Sequence, residues 1–140
     1  MTNVVVIDSD AIFAIYNPND PLNIQATQTF QKLIASNSQI VYPTPVIFEV
    51  ISLFQRVLPT PSVNAKLIEL VKKDVISVAV IDPEILREAV TLFDPAGSKK
   101  NTLVDCSVAI IARKMNASGV FSYDEFYVKL GLKLARDLFD

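Results

Sequence analysis

The stretch Asn3-Val-Val-Val-Ile-Asp-Ser-Asp10 decides the fold. Asn3–Ile7 reads as a strand whose four branched residues in a row, Val4 to Ile7, fall on both faces of an extended chain. Such a strand must be covered on both faces, which points to a parallel sheet between helices rather than to a half-solvated antiparallel one. The run then stops on Asp8. In an open parallel sheet the ligand crevice lies outside the carboxyl ends of the strands, so an acid that closes a buried strand stands at the rim of that crevice.

Working outward, strand and helix patterns alternate. Pro18 to Pro21 is a turn, and Leu22–Ala35 carries apolar residues at helical spacing. Gln39–Tyr42 is a second short strand. Thr44 followed by Pro45 marks a helix start, with Thr44 as N-cap, and the helix should run to about Leu58 and end before Pro59. Ser62–Lys73 is the next helix and Val75–Ile81 a third strand. A helix opened by Asp82-Pro83 reaches about Phe93. Asp94–Asn101 is a polar loop, Thr102–Met115 an apolar helix, Gly119–Ser122 a fourth strand and Leu132–Leu134 a candidate fifth. The alternation predicts an α/β fold: one domain over residues 1–140, with a parallel sheet of about five strands flanked by helices on both faces.

Composition narrows the function. The chain has 140 residues, of which 51% are hydrophobic and 20% charged, with a net charge of −2. That is enough apolar material for a core without disulfide or structural metal, and it is neither a disordered acidic chain nor a strongly basic one. A single cysteine, Cys106, excludes an internal disulfide and suits a reducing cytosol. Met1–Asp10 has no basic leader and no segment is apolar enough to span a bilayer, so a cytoplasmic protein is expected. There is no histidine, which removes serine–histidine and cysteine–histidine catalysis, histidine-ligated zinc and histidine acid–base pairs. Any enzyme built from this chain runs on carboxylates, and carboxylates do hard chemistry by holding hard cations.

Four carboxylates stand apart from the other acidic residues. Asp8 closes the first strand, Glu49 lies in Pro-Val-Ile-Phe-Glu-Val-Ile, Asp105 in Thr-Leu-Val-Asp-Cys-Ser-Val-Ala, and Asp124 in Val-Phe-Ser-Tyr-Asp-Glu-Phe-Tyr. A carboxylate in an apolar segment is costly unless it is paired or holds a metal. Each also has a local reading. Asp8 and Asp124 could cap the segments that follow them, Glu49 could be solvated, and Thr102-Leu-Val-Asp105 matches a capping box. All four fall at expected positions around one crevice.

The ordered set resembles the PIN-domain ribonucleases, including the VapC-type toxins of bacterial toxin–antitoxin pairs. The resemblance covers nearly the whole chain. It rests on Asp8 after the apolar first strand, Pro45 to Glu49 at a helix start, Asp105 opening an apolar helix, and the Ser122, Asp124, Phe126 pattern after the fourth strand. It implies a five-stranded parallel sheet and an acidic cluster, here Asp8, Glu49, Asp105 and Asp124, that binds Mg²⁺ or Mn²⁺ and cleaves RNA. Asp10 departs from the family, which usually has a small neutral polar residue there; it is either an additional ligand or a source of repulsion. Metal ions at such a cluster would neutralise it, bind a phosphate oxygen and lower the pKa of a bound water, leaving a 5′ phosphate and a 3′ hydroxyl.

Substrate-contact candidates follow from charge. Residues 1–95 hold 6 basic and 10 acidic groups, whereas residues 96–140 hold 7 and 5. Lys99 and Lys100, in the loop before Asp105, could touch flanking phosphates, as could Arg56 on the Glu49 face; Ser122 is a further candidate. The helix from Pro45 to Leu58 is apolar around most of its circumference and could form a homodimer or antitoxin surface. Asp8-Ser-Asp10 also resembles the nucleophile pair of haloacid dehalogenase-like phosphatases, but Ile12 stands where that motif wants Thr. The alternative from another class is a PIN fold kept as an interaction or regulatory module with weak or no nuclease activity.

Overall fold

The structure is a computed structural model that describes residues 3–58 and 61–139. Strand β1 (Val4–Ile7) leads into helices α1 (Ser9–Tyr16) and α2 (Asn23–Ala35), then β2 (Gln39–Pro43), α3 (Thr44–Val57) and α4 (Ser62–Lys72). Strand β3 (Ser77–Ala79), helices α5 (Pro83–Leu92) and α6 (Leu103–Lys114), strand β4 (Gly119–Phe121), helix α7 (Phe126–Lys129) and a 3₁₀ turn at Ala135–Phe139 complete the chain. The sheet is parallel throughout, in the order β3-β2-β1-β4. Right-handed crossovers put the helices between β1 and β3 on one face and α5 and α6 on the other.

The strand order determines where a site can form. From β1 the chain steps outward to β2 and β3, then returns past β1 to β4. The connections leaving β1 and β4 therefore diverge, and a crevice opens between those two strand ends. Asp8 follows β1 directly, and Asp124 lies in the segment that follows β4. Beneath the crevice, Val5, Val6 and Ile7 are fully buried, as the apolar run requires.

Several boundaries differ from the sequence reading, each for a local reason. The third strand is shorter than Val75–Ile81. Asp74 adopts a left-handed conformation (φ 56°), and the Val75 amide donates to Leu70 O, so this segment ends α4 instead of joining the sheet. The fifth strand reduces to one parallel bridge, Val120 with Leu134, leaving four strands. Gly119 permits that approach: a Cβ there would stand 3.1 Å from Lys133 O. The N-cap of α3 is Pro43 rather than Thr44; Thr44 is already helical and no side chain caps this end. The expected stop at Pro59 lies outside the described residues. Among the described residues, no helix is long and apolar enough to cross a membrane.

Candidate active site

Asp8 and Asp124 stand at the carboxyl ends of β1 and β4, and Glu49 and Asp105 come from helices α3 and α6. Asp8 is buried and is the N-cap of α1; its Oδ1 accepts from the Ser9 amide at 2.7 Å. Its Oδ2 accepts from the hydroxyl of Tyr127, a fully buried side chain of α7. Asp105 is buried in the first turn of α6, where it completes a capping box: Oδ2 accepts from the Thr102 amide at 3.0 Å, and Thr102 Oγ1 accepts from the Asp105 amide. Glu49 lies half-buried in the second turn of α3, and its Oε1 accepts from the Ser9 hydroxyl. Asp124 is half-buried; Oδ1 accepts from the Phe126 amide at 2.9 Å and Oδ2 from Asn101 Nδ2 at 3.1 Å.

Asp10 joins the group as a brace. Its Oδ2 accepts from the Ser122 hydroxyl at 3.0 Å and from the Tyr123 amide at 2.8 Å, tying the start of α1 to the end of β4. Ser122 is buried, and its oxygen also accepts from the Asp124 amide at 3.1 Å. Its hydroxyl is thus committed to holding Asp10 and Asp124 in place, rather than standing open to a substrate.

The acids feel one another's charge. Asp8 is held well above the usual carboxylate range, first by burial and then by the charges of Asp10 and Asp105. Burial lifts Asp105 to about 6, with Asp124 and Glu49 adding to the effect against the pull of the Thr102 amide. Asp10 is an exposed residue, yet desolvation of its carboxylate raises it, against the pull of its hydrogen bonds from Tyr123 and Ser122. Among the described residues, none of the five carboxylates has a lysine or arginine ion-pair partner. Like charges gathered without a counter-ion are the arrangement in which carboxyl pKa values rise.

Oxygen-only, anionic donors fit a hard divalent cation. Among the described residues, however, no three acidic or cysteine side chains are set around a common point to ligate an ion. Both oxygens of Asp8 and both of Asp124 accept from protein donors instead. Mg²⁺ usually keeps several waters and is bound through only one or two carboxylates.

Lys99 and Lys100 are exposed in the loop that ends at Asn101, the residue that holds Asp124. Arg56 is exposed on α3, two turns beyond Glu49 and so roughly 10.5 Å further along the helix. Cys106 is buried next to Asp105, where burial raises its thiol. Tyr127, Asn101 and Ser9 were missed by the sequence reading. Tyr127 sits in a Phe-Tyr-Val run that reads as core, and nothing local reveals that its hydroxyl reaches Asp8 across 119 residues.

A four-stranded parallel sheet with acids at its switch point defines a class, and comparison with known proteins identifies it. The PIN domain family model matches residues 5–131, and the chain belongs to that family. Among solved structures it is similar to the VapC20 toxin of Mycobacterium tuberculosis, described as a sarcin–ricin loop cleaving toxin. That likeness has a TM-score of 0.74 at 17% identity and covers 91% of this chain and 95% of the toxin chain. No curated protein matches the sequence.

Proposed function

We propose that this PIN-domain protein is a Mg²⁺- or Mn²⁺-dependent ribonuclease that hydrolyses RNA phosphodiester bonds, and that it is the toxin of a type II toxin–antitoxin pair. The observation that carries this is that Asp8, Glu49, Asp105 and Asp124 feel one another's charge while, among the described residues, no lysine or arginine pairs with them. Their chemistry fits a hard metal, which when bound would supply Lewis acidity toward the scissile phosphate and acidify a water. The chain supplies the rest. Asp8 and Asp105 offer buried carboxyls that a bound cation would hold ionised, while Glu49 and Asp124 stand half-buried beside them. Lys99 and Lys100, exposed in the loop that ends at Asn101, would hold flanking phosphates, and Arg56 lies further out along α3. Family membership and the likeness to a toxin described as cleaving the sarcin–ricin loop support RNA as the substrate.

The same proposal includes a homodimer in the cytoplasm and an antitoxin partner. On α3, Val46, Ile47, Val50 and Phe54 are buried, yet Phe48 and Val57 remain 75% and 53% exposed. Phe48 and Val57 point to opposite sides of the helix, and the exposed Phe48 ring, away from the buried stripe, is the apolar group a second chain would cover. Sedimentation at micromolar concentration showing only monomer would remove the dimer.

A PIN-fold interaction module without cleavage is the second reading. It is favoured by the protein donors that already engage both oxygens of Asp8 and both of Asp124. Mn²⁺ calorimetry beside a cleavage assay on total RNA separates the two. We expect a saturable binding isotherm and cleavage abolished by excess EDTA. Cleavage that persists in EDTA would sink the metal mechanism, and neither binding nor cleavage would favour the module.

A further inference from the structure

We propose that Tyr127 is a positioning residue for Asp8, and that through it helix α7 sets the two strand-end carboxylates together. The inference rests on the metal-dependent reading and adds to it a residue outside the acidic set. Asp8 is gripped at both oxygens, by the Ser9 amide on Oδ1 and by the Tyr127 hydroxyl on Oδ2. A carboxylate held at one oxygen can still turn about its Cβ–Cγ bond. Held at both, it has a fixed plane, and each oxygen keeps its remaining lone-pair direction for another partner.

The hydroxyl is not there for ordinary core packing. The Tyr127 side chain is fully buried, and its ring lies edge-on to Phe126 with centroids 5.3 Å apart. A phenylalanine would fill that space equally well. What the oxygen adds is one bond, and it goes to a buried carboxylate on a strand 119 residues away in sequence. Tyr127 also lies in the single turn that begins just after Asp124, whose Oδ1 accepts from the Phe126 amide. One short helix thus anchors Asp124 through its backbone and Asp8 through a side chain. Partners that orient a metal ligand typically govern metal affinity by 10- to 100-fold when removed.

The test is Tyr127→Phe in the full chain, measured by Mn²⁺ calorimetry and by thermal melts in EDTA. If the hydroxyl orients Asp8, the variant binds Mn²⁺ roughly 10- to 100-fold more weakly, and kcat for RNA cleavage falls while KM changes little. A variant that melts lower in EDTA but binds Mn²⁺ like the wild type overturns the proposal, because its role would then be structural only. Asp8→Asn provides a background in which the Phe substitution leaves no charge stranded. There, adding Tyr127→Phe should not change Mn²⁺ binding, and a further loss would show that the hydroxyl acts other than through Asp8. A wild type that fails to bind Mn²⁺ removes the metal reading itself, whereas a binding wild type with an indifferent Phe variant removes only this inference.

Discussion

The two ends of α6 solve the same electrostatic problem in opposite ways. At its last turn, Lys114 reaches Glu84 at 2.9 Å and Glu88 at 2.8 Å, both on α5. The two acids are exposed and share a cation that the sequence supplies, and their hydrogen bonds, with their charges behind them, push the lysine pKa up. At its first turn, Asp105 is buried near Asp8, Asp124 and Glu49, and among the described residues no cation pairs with any of them. A surface that needs only stability neutralises its acids at home. A cluster that leaves them unbalanced and desolvated gives up stability, and such positions are where bound cations and catalysis are found.

The strongest way to break that contrast is Asp105→Asn. Removing a like charge while keeping the shape should lower RNA cleavage by at least about a hundredfold, the scale of losing a group that stabilises the transition state. The metal-free protein should stay equally or more stable. Mn²⁺ at roughly a hundred times its Kd should stabilise the wild type by about 2.7 kcal/mol and the variant by less. Lys114→Met is the control at the other end of α6, with cleavage and Mn²⁺ stabilisation unchanged. A destabilised but active Asp105→Asn protein would reduce Asp105 to its capping box.

The second prediction uses the raised carboxyls. Asp105 titrates near 6 in the folded chain and near 3.9 when unfolded. Between these values the folded state binds the extra proton, so the contribution to stability is complete below about pH 4 and is lost as pH rises through 6. Asp8 pushes the same way. The metal-free protein should therefore lose about 2–3 kcal/mol from Asp105 between pH 4 and 7, the largest amount this shift allows. Mn²⁺, which prefers the ionised form, should stabilise more strongly as pH rises over the same window. Urea melts at both ends of that range, run beside Asp105→Asn with its flatter profile, decide the point. A wild type no steeper than the variant would show that the site is not electrostatically strained.

The smallest effect belongs to the loop before α6. Replacing Lys99 and Lys100 with Ala should weaken RNA binding and reduce the slope of log K against log salt by about 1.4, for two phosphate contacts to a single strand. An unchanged slope in a filter-binding titration would return both lysines to ordinary solvation.

Much of the fold was legible because burial on both faces leaves a continuous apolar run, as at Val4–Ile7, and because caps are local chemistry. Asp82 caps α5 through the Ile85 amide, and Thr102 with Asp105 forms the capping box its spacing implied. Strand lengths were not legible. Val75 and Val80 have strand-like side chains but are 63% and 69% exposed, and the fifth strand dwindled to one bridge at Leu134. Side-chain type reports what could pair; it does not report which neighbour is present to pair with it.

At the site, the local and the functional readings of the acids were set against each other in sequence, yet both describe the molecule. Asp8 caps α1, Asp105 closes its box and Asp124 holds the Phe126 amide, and still Asp8 feels the charge of Asp105 and Asp105 that of Asp124. A capping bond uses one lone-pair direction of an oxygen and leaves the others free, so capping and clustering never competed.

By itself the sequence determined the parallel α/β class, the absence of histidine chemistry, and the identity of the acids, because residue type, period and caps depend only on near neighbours. The tertiary structure alone decided that Asp10 braces Ser122 and Tyr123, that Asn101 holds Asp124, and that Tyr127 grips Asp8. These bonds span 23 to 119 residues of chain. They exist only once the order β3-β2-β1-β4 has brought the ends of β1 and β4 side by side.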